Sequence, residues 1–408
     1  MYMTAFLAAA AVFVVLTLIV FVNYPASWRR NKRFLAVLIL WHLMGTAAII
    51  CVFTCFSRIP YENIRYEVCR IATFYYVPII LMALLFMVRL MSSRTYQLVM
   101  MTRGISPGKA RRRWISDHEV HTLAFVFLSF AICAAGYFNI DFLHLQRYEV
   151  ECRKPSALGE LDICLIADIH AGSGTWQYTY DDLAAMINEC HPDVLMIAGD
   201  VFDETTGPSD VENFAWVLET IDKPPLGIYY IYGNHDSRTD DWTARQMKDM
   251  GAIVLEDEMV LLGEDIQLIG CLDPRHHGEP CEALFDRVKP DLRKPVLVLT
   301  HRPRHFGKLE ELGCDLVMAG HTHGFNIPQF MGGNILGDMY SGIRAYGDMT
   351  AVTTSGVGAW GFHYKWPAQS EVVHLHVSFA SGEEGIRESA PGGTAGGMTG
   401  EEDKGGKA

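Results

Sequence analysis

Two hydrophobic patterns divide the chain. In the first third apolar residues run on without alternation: residues 4–22 carry no charge, and 34–54, 71–88 and 123–138 form three further apolar stretches. About twenty such residues cross a bilayer core as a helix, so four transmembrane spans are predicted. Pro78 lies inside the third, where a membrane helix tolerates it better than a soluble one. From residue 147 the pattern changes to short apolar runs between polar loops. Residues 147–153 alternate as a strand does, whereas 161–167 and 194–198 are nearly continuous apolar runs, as strands buried on both faces are. Residues 181–190 have helical spacing through Leu183, Met186 and Ile187, stopped by His191 and Pro192. A helix over 211–221, a strand over 227–232 and a helix over 241–250 follow. Short strands at 253–255, 259–262 and 266–269 and buried strands at 295–300 and 316–319 complete the series. The repeat of strand, polar loop and helix predicts a layered α/β domain whose site lies beyond the carboxyl ends of its strands.

Charge separates the same two regions. Residues 1–139 hold 14 of the 34 Lys+Arg but only 4 of the 47 Asp+Glu, which leaves the remainder strongly acidic. We therefore expect a transmembrane domain over 1–139, an α/β domain over 140–380 and a disordered Gly- and Glu-rich tail over 381–408. Arg29, Arg30, Lys32 and Arg33 follow the first span, and Arg89, Arg94, Arg103, Lys109, Arg111, Arg112 and Arg113 follow the third. In the loop between the second and third spans, Glu62 and Glu67 partly offset Arg58, Arg65 and Arg70. By the positive-inside rule the first and third loops face the cytoplasm, so the acidic domain of this multi-pass cell (inner) membrane protein is predicted to be extracytoplasmic. Arg29-Arg30 ahead of Phe34-Leu35 is a loose twin-arginine pattern, but it follows a full span and reads as a cytoplasmic anchor cluster. An acidic domain argues against nucleic acid as the main partner, since phosphate backbones need clustered cations. The ten cysteines show no paired zinc spacing. Cys55 and Cys69 flank the predicted outside loop as one candidate disulfide, and Cys164 and Cys190 read as buried thiols.

Five predicted strands end in metal-ligand side chains. Asp168-Ile169-His170 ends the first; in an extended segment residues i and i+2 project to one side, so carboxylate and imidazole converge. Gly199-Asp200, with Asp203 close behind, ends the second, and Gly233-Asn234-His235-Asp236 the third. Thr300-His301 ends the fourth and Gly320-His321-Thr322-His323 the fifth. A single strand-end Asp is usually a cap or turn former, and a single His a satisfied loop residue. Carboxylates, an amide and imidazoles at five strand ends together point to a metal centre. The mixed oxygen and nitrogen donors suit Mn, Fe or Zn better than Mg. Arg238, Arg302 and Arg304 lie near these residues in sequence and read equally as surface charge or as partners for phosphate, so they stay outside the candidate site.

The ordered set Asp-x-His, Gly-Asp, Gly-Asn-His-Asp, His, Gly-His-x-His resembles the calcineurin-like metallophosphoesterase superfamily, specifically its membrane-anchored bacterial branch. The resemblance covers residues 147–377, including Pro192-Asp193 and the turn Ser355-Gly356-Val357-Gly358. It implies a four-layer α/β sandwich with two divalent metal ions. Carried over, Asp168, His170 and His323 hold one ion, Asn234, His301 and His321 the other, and Asp200 bridges them. It also implies that His235 protonates the leaving oxygen and that Asp236 orients His235. Gly324-Phe325-Asn326 stands where the branch reads Gly-Gly-Gln, and Thr354-Ser355 replaces an Arg ahead of the late glycine turn. Anchoring at the bilayer makes a lipid-linked or envelope phosphodiester the expected substrate. The alternatives are a cytoplasm-facing pyrophosphatase acting on nucleotide-diacylglucosamine and a non-catalytic membrane receptor or scaffold. Trp360, Phe362, His363, Tyr364 and Trp366 form an aromatic cluster, read as core packing or as a wall for an acyl chain or the bilayer interface.

Overall fold

The computed structural model describes residues 2–55, 58–59, 62–106, 118–172, 175, 177–236, 241–272, 278–324 and 338–381, with backbone alone for 2–12, 53, 55, 62, 63, 118, 177 and 178. The predicted tail beyond residue 381 lies outside these residues. The apolar third forms helices α1 (Tyr2–Asn23), α2 (Ala26–Arg29), α3 (Lys32–Cys55), α4 (Glu62–Thr102) and α5 (His118–Asn139). Among the described residues three stretches are long and apolar enough to cross a membrane: Lys32–Val52, Ile64–Thr102 and Glu119–Asn139. The described apolar stretch of α1, Phe13–Asn23, is shorter than a span, so the count of four rests on the sequence of residues 4–22. Helix α4 outruns its predicted span of 71–88 at both ends. Its 41 residues extend about 60 Å at the usual rise, twice a hydrocarbon core. α4 packs against α1, α3 and α5, with Leu16, Val20, Tyr75, Ile79 and Phe86 among the buried contacts.

The acidic region forms two six-stranded mixed sheets. The first contains β1 (Leu143–Pro155), β2 (Glu160–Ile166), β3 (Val194–Ile197), β4 (Ile228–Tyr230), β5 (Ile253–Val254) and β12 (Ser370–Ala380), in the order β1-β12-β2-β3-β4-β5. The second contains β6 (Glu258–Leu262), β7 (Ile266–Cys271), β8 (Val296–Thr300), β9 (Leu316–Ala319), β10 (Gly342–Tyr346) and β11 (Met349–Thr353), in the order β10-β11-β9-β8-β7-β6. Strand parity sorts the side chains. Leu161, Ile163 and Leu165 of β2 face Leu268, Leu297, Leu299 and Met318 of the second sheet. Cys164 and Ile166 of the same strand face outward to helices α6 (Gln177–Glu189), α7 (Pro208–Thr220) and α8 (Trp242–Asp249). Val296, Val298 and Val317 meet α9 (Cys281–Val288) and α10 (Phe306–Glu311) on the far side. Helices, sheet, sheet and helices are therefore stacked in that order, which explains why these strands are apolar at almost every position.

Strands β10, β11 and β12 have no counterpart in the sequence reading. β12 interleaves Val372, Leu375 and Val377 with His374, His376 and Ser378, and it pairs parallel with β1 and antiparallel with β2, an insertion that no local pattern announces. Cys164 and Cys190 are buried thiols without a disulfide. Of the candidate Cys55–Cys69 pair, the Cys55 side chain lies outside the described residues, and Cys69 is buried.

Parallel pairing of β2, β3 and β4 in one sheet and of β7, β8, β9 and β11 in the other points their carboxyl ends to one rim. The ladder runs on past the strands: Asp168 N–H donates to Gly199 O (3.0 Å) and His170 N–H to Asp200 O (3.1 Å).

Candidate metal centre

Asp168 and His170 follow β2, Asp200 follows β3, Asn234 follows β4, His301 follows β8, and His321 and His323 follow β9. The structure brings all seven to this rim. The ligand atoms of Asp168, His170 and His323 lie within 4.8 Å of one another, as do those of Asp200, His301 and His321. Asp200 sits between the sets, its Oδ2 3.2 Å from His301 Nε2 and 3.8 Å from His170 Nε2. Its Oδ1 accepts the N–H of His235 at 2.7 Å. Asn234 Oδ1 is 3.2 Å and His321 Nδ1 3.1 Å from His301 Nε2.

The surroundings choose the tautomers. His301 Nδ1–H donates to Ala198 O (2.7 Å), His170 Nδ1–H to Asp203 Oδ2 (3.1 Å) and His323 Nδ1–H to Gly358 O (3.4 Å), which leaves each Nε2 for the centre. His321 instead turns Nδ1 inward, and its backbone N–H donates to Asp168 Oδ2 at 2.7 Å. Asp203, a bystander in sequence, is thus the carboxylate that orients His170.

This geometry needs positive charge among its lone pairs. Asp168 Oδ1 and His170 Nε2 are fully buried without a hydrogen-bond partner. Asp200 Oδ2, Asn234 Oδ1 and His321 Nδ1 crowd one imidazole nitrogen whose ring already spends its N–H on a carbonyl. Burial opposes charge on His301, yet the Asp200 carboxylate outweighs it and pushes the imidazole up to about 9, so a proton and a metal ion would compete for its Nε2. Burial and the neighbouring His301 cation take His321 down to about 2, and burial and His170 take His323 well below the usual range; both stay neutral, the ligating form. Buried donors that nothing else satisfies, in a mixed N/O set, fit divalent cations.

Backbone strain is concentrated at the same rim. Asp168 (φ 51°), His170 (47°), Asp200 (53°), His321 (77°) and His323 (49°) all adopt left-handed backbone. At about 1–2 kcal/mol each this is a cost of roughly 5–10 kcal/mol, comparable with what burying about four Leu, Ile or Val side chains contributes. The layered core beneath supplies far more such burial. Gly320 permits the close approach of β9 to β2: a Cβ there would sit 2.6 Å from Ala167 Cβ and 2.7 Å from Asp168 Oδ2.

His235 is one-fifth exposed and lies edge-on to His170, with ring centroids 5.3 Å apart. Its Nδ1 is 3.3 Å from Glu204 Oε2, and its ring is covered by Trp360 at 4.9 Å. Burial works against its charge, but Asp200 and then Glu204 prevail and push it up to about 9. The expectation that Asp236 orients His235 is corrected. Asp236 Oδ2 accepts the N–H groups of Asp200 (2.7 Å) and Gly233 (2.8 Å), and Oδ1 accepts that of Phe202 (3.2 Å). With both oxygens committed to main chain, Asp236 ties the Asp200 and Asn234 loops together and leaves the His235 ring to Glu204. Sequence reasoning missed Glu204, which carries no motif signal. It noted Trp360 only as part of an aromatic cluster. Arg302 is buried beside His301 and Arg304 is partly buried, while Arg238, Phe325 and Asn326 lie outside the described residues.

Residues 161–325 match the calcineurin-like phosphoesterase family. An uncharacterized metallophosphoesterase of Helicobacter pylori is 30% identical over 268 residues, which are 62% of this chain and 70% of that protein. A transmembrane protein with metallophosphoesterase domain from Danio rerio is 28% identical over 244 residues, 54% of each protein. A phosphodiesterase of Escherichia coli is 24% identical over 249 residues, 56% of this chain and 84% of that one.

Proposed function

We propose, given that this chain belongs to the calcineurin-like metallophosphoesterases and is a metal-dependent phosphoester hydrolase, that it cleaves a lipid-linked or envelope phosphodiester at the membrane. In this reading Asp168, His170 and His323 hold one ion, Asn234, His301 and His321 the second, and Asp200 bridges them. The ions are Mn, Fe or Zn. The observation that carries the assignment is the position of Asp200 Oδ2 between His301 Nε2 and His170 Nε2, with the unpartnered buried Asp168 Oδ1 and His170 Nε2 on one side of it.

Divalent ions held by these residues would supply a water of lowered pKa and positive charge against a phosphoryl group. The protein does the rest. Asp203, Ala198 O and Gly358 O hold the imidazole tautomers, and Asp236 holds the Asp200 and Asn234 loops at fixed separation. Glu204 takes His235 Nδ1–H, so Nε2 is the nitrogen left to give a proton to the leaving oxygen.

Two observations support a membrane substrate. The site loop 358–366 rests directly on α4 and α5, with Phe362 stacked on Tyr76 at 4.5 Å. In addition, relatives are named as a phosphodiesterase and as a transmembrane protein. For orientation, the α/β region follows the Asn139 end of α5, whereas Ser27, next to Arg29 and Arg30, hydrogen-bonds Glu119 at the other end of that helix (2.6 Å). Arg29, Arg30, Lys32 and Arg33 on the side away from the catalytic domain favour a four-span protein of the inner membrane with that domain outside. An alkaline phosphatase reporter fused after Gly136 is expected to be active in intact cells; an inactive fusion would reverse the orientation. Incubating purified protein and Mn with extracted envelope lipids should yield, by mass spectrometry, a lipid species split at a phosphodiester. Hydrolysis of a chromogenic diester with every lipid left intact would refute the substrate class.

A further inference from the structure

The loop that follows β11 touches both the metal-side residues and the membrane helices. On its inner side Gly358 N–H donates to Asp168 O (2.8 Å), and Gly358 O accepts from His323 Nδ1 (3.4 Å) and from the buried Lys365 Nζ (3.1 Å). Lys365 Nζ also donates to Gly356 O at 2.6 Å, closing the loop on itself. On its outer side Phe362 stacks on Tyr76 of α4 at 16° to the ring plane. Tyr364 is 1% exposed and packs against Val77, Leu81 and Cys133. Lys365 N–H donates to Gly136 O of α5 (3.0 Å), and Asn139 Nδ2 donates to Lys365 O (2.9 Å) and Ala368 O (2.8 Å). His363 Nε2 meets Asp141 Oδ1 at 2.7 Å, just past the end of α5.

Between these two faces stands Trp360. Its indole N–H donates to Glu204 Oε1 (3.0 Å), whose other oxygen faces His235 Nδ1 (3.3 Å), and its ring lies 4.9 Å from that of His235 at 30°. The carboxylate fixes the direction of the imidazole N–H and the indole covers one ring face, so together they limit both the rotation and the tilt of His235. Neither group touches the candidate metal ligands through its own polar atoms in these contacts. We infer that Trp360 and Glu204 are positioning residues for His235, held in place by α4 and α5 through the 358–366 loop, so that the membrane helices form part of the catalytic apparatus. The inference rests on the assignment of His235 as proton donor.

A proton donor matters in proportion to how poorly the leaving oxygen departs alone. 4-Nitrophenolate leaves unprotonated near neutral pH, whereas a less acidic phenol needs the proton early. The test uses the full chain in lipid nanodiscs with Mn, assayed on methyl phosphodiesters of 4-nitrophenol, phenol and 4-methoxyphenol. Trp360→Ala and Glu204→Gln should lower kcat about tenfold more on the phenyl and 4-methoxyphenyl esters than on the 4-nitrophenyl ester, with KM and metal content unchanged. Trp360→Phe, which keeps a ring face but lacks the N–H, should fall between. Phe362→Ala, and as a milder second variant Tyr76→Leu, should show the same leaving-group dependence at about threefold, though neither approaches the reacting atoms. Equal losses across the three esters, or no loss in the Trp360 and Glu204 variants, would overturn the inference while leaving the hydrolase assignment intact. A wild type inert on all three would overturn both.

Discussion

Replacing Asp200 with Ala is expected to empty the centre and abolish turnover, the largest effect of any single substitution in the chain. Its Oδ2 faces both donor sets and Asp200 is 1% exposed, so bulk water does not replace its oxygens. Loss of Oδ2 removes the negative charge that His301 and His170 face at 3.2 and 3.8 Å, leaving Asp168 as the one carboxylate among the proposed ligands. Burial raises the cost of charge on Asp200, but His301 and His235 outweigh it and hold the carboxyl well below its usual range. Elemental analysis should show bound metal falling from about two ions per chain to well under one, with activity down at least about 10³-fold. Asp200→Asn keeps an oxygen for the His235 N–H but not the charge, and should lose metal nearly as completely. Retention of both ions in Asp200→Ala would remove the bridging role.

His235→Ala is expected to separate binding from chemistry. The ring stands at the edge of the site, and the described contacts tie it to Glu204 and Trp360 rather than to a metal-ligand donor atom. Metal content should therefore stay at the wild-type level while kcat falls by about 10²–10⁴, the usual worth of a positioned general acid. The pH profile carries a sign. A proton donor works in its charged form, and the carboxylates of Asp200 and Glu204 raise its pKa against burial. Activity should fall as pH rises through the titration of His235, and that alkaline limb should vanish from His235→Ala. Metal loss in the variant, or a fall of less than about threefold, would contradict the role.

The parts of this architecture legible in sequence are those written locally. A run such as residues 161–167 is apolar because both faces of β2 are covered, and the polar residues that interrupt such runs at 168–170, 200, 234, 301 and 321–323 stand at one rim of two sheets. What was not legible depends on long-range pairing. Glu204 reaches His235 across thirty-one positions from a turn with no motif of its own. β12 enters the first sheet between β1 and β2 although it comes last in the chain. Asp236 sits beside His235 in sequence, yet the bend between them sends its carboxylate to main-chain N–H groups and the imidazole the other way. The length of α4 escaped for a different reason: hydropathy marks its buried middle, while its polar first turns, including Arg65 paired with the buried Asp210 of α7 at 2.5 Å, belong to the contact with the α/β region. Breaking such a buried pair costs about 3–5 kcal/mol, so it fixes how the helix meets the domain.

Anomalous diffraction from crystals of the Mn-loaded protein addresses the central claim most directly. Two peaks are expected, one among Asp168, His170 and His323 and one among Asn234, His301 and His321, each within bonding distance of the Asp200 carboxylate. A single peak, or ions bound away from Asp200, would contradict it.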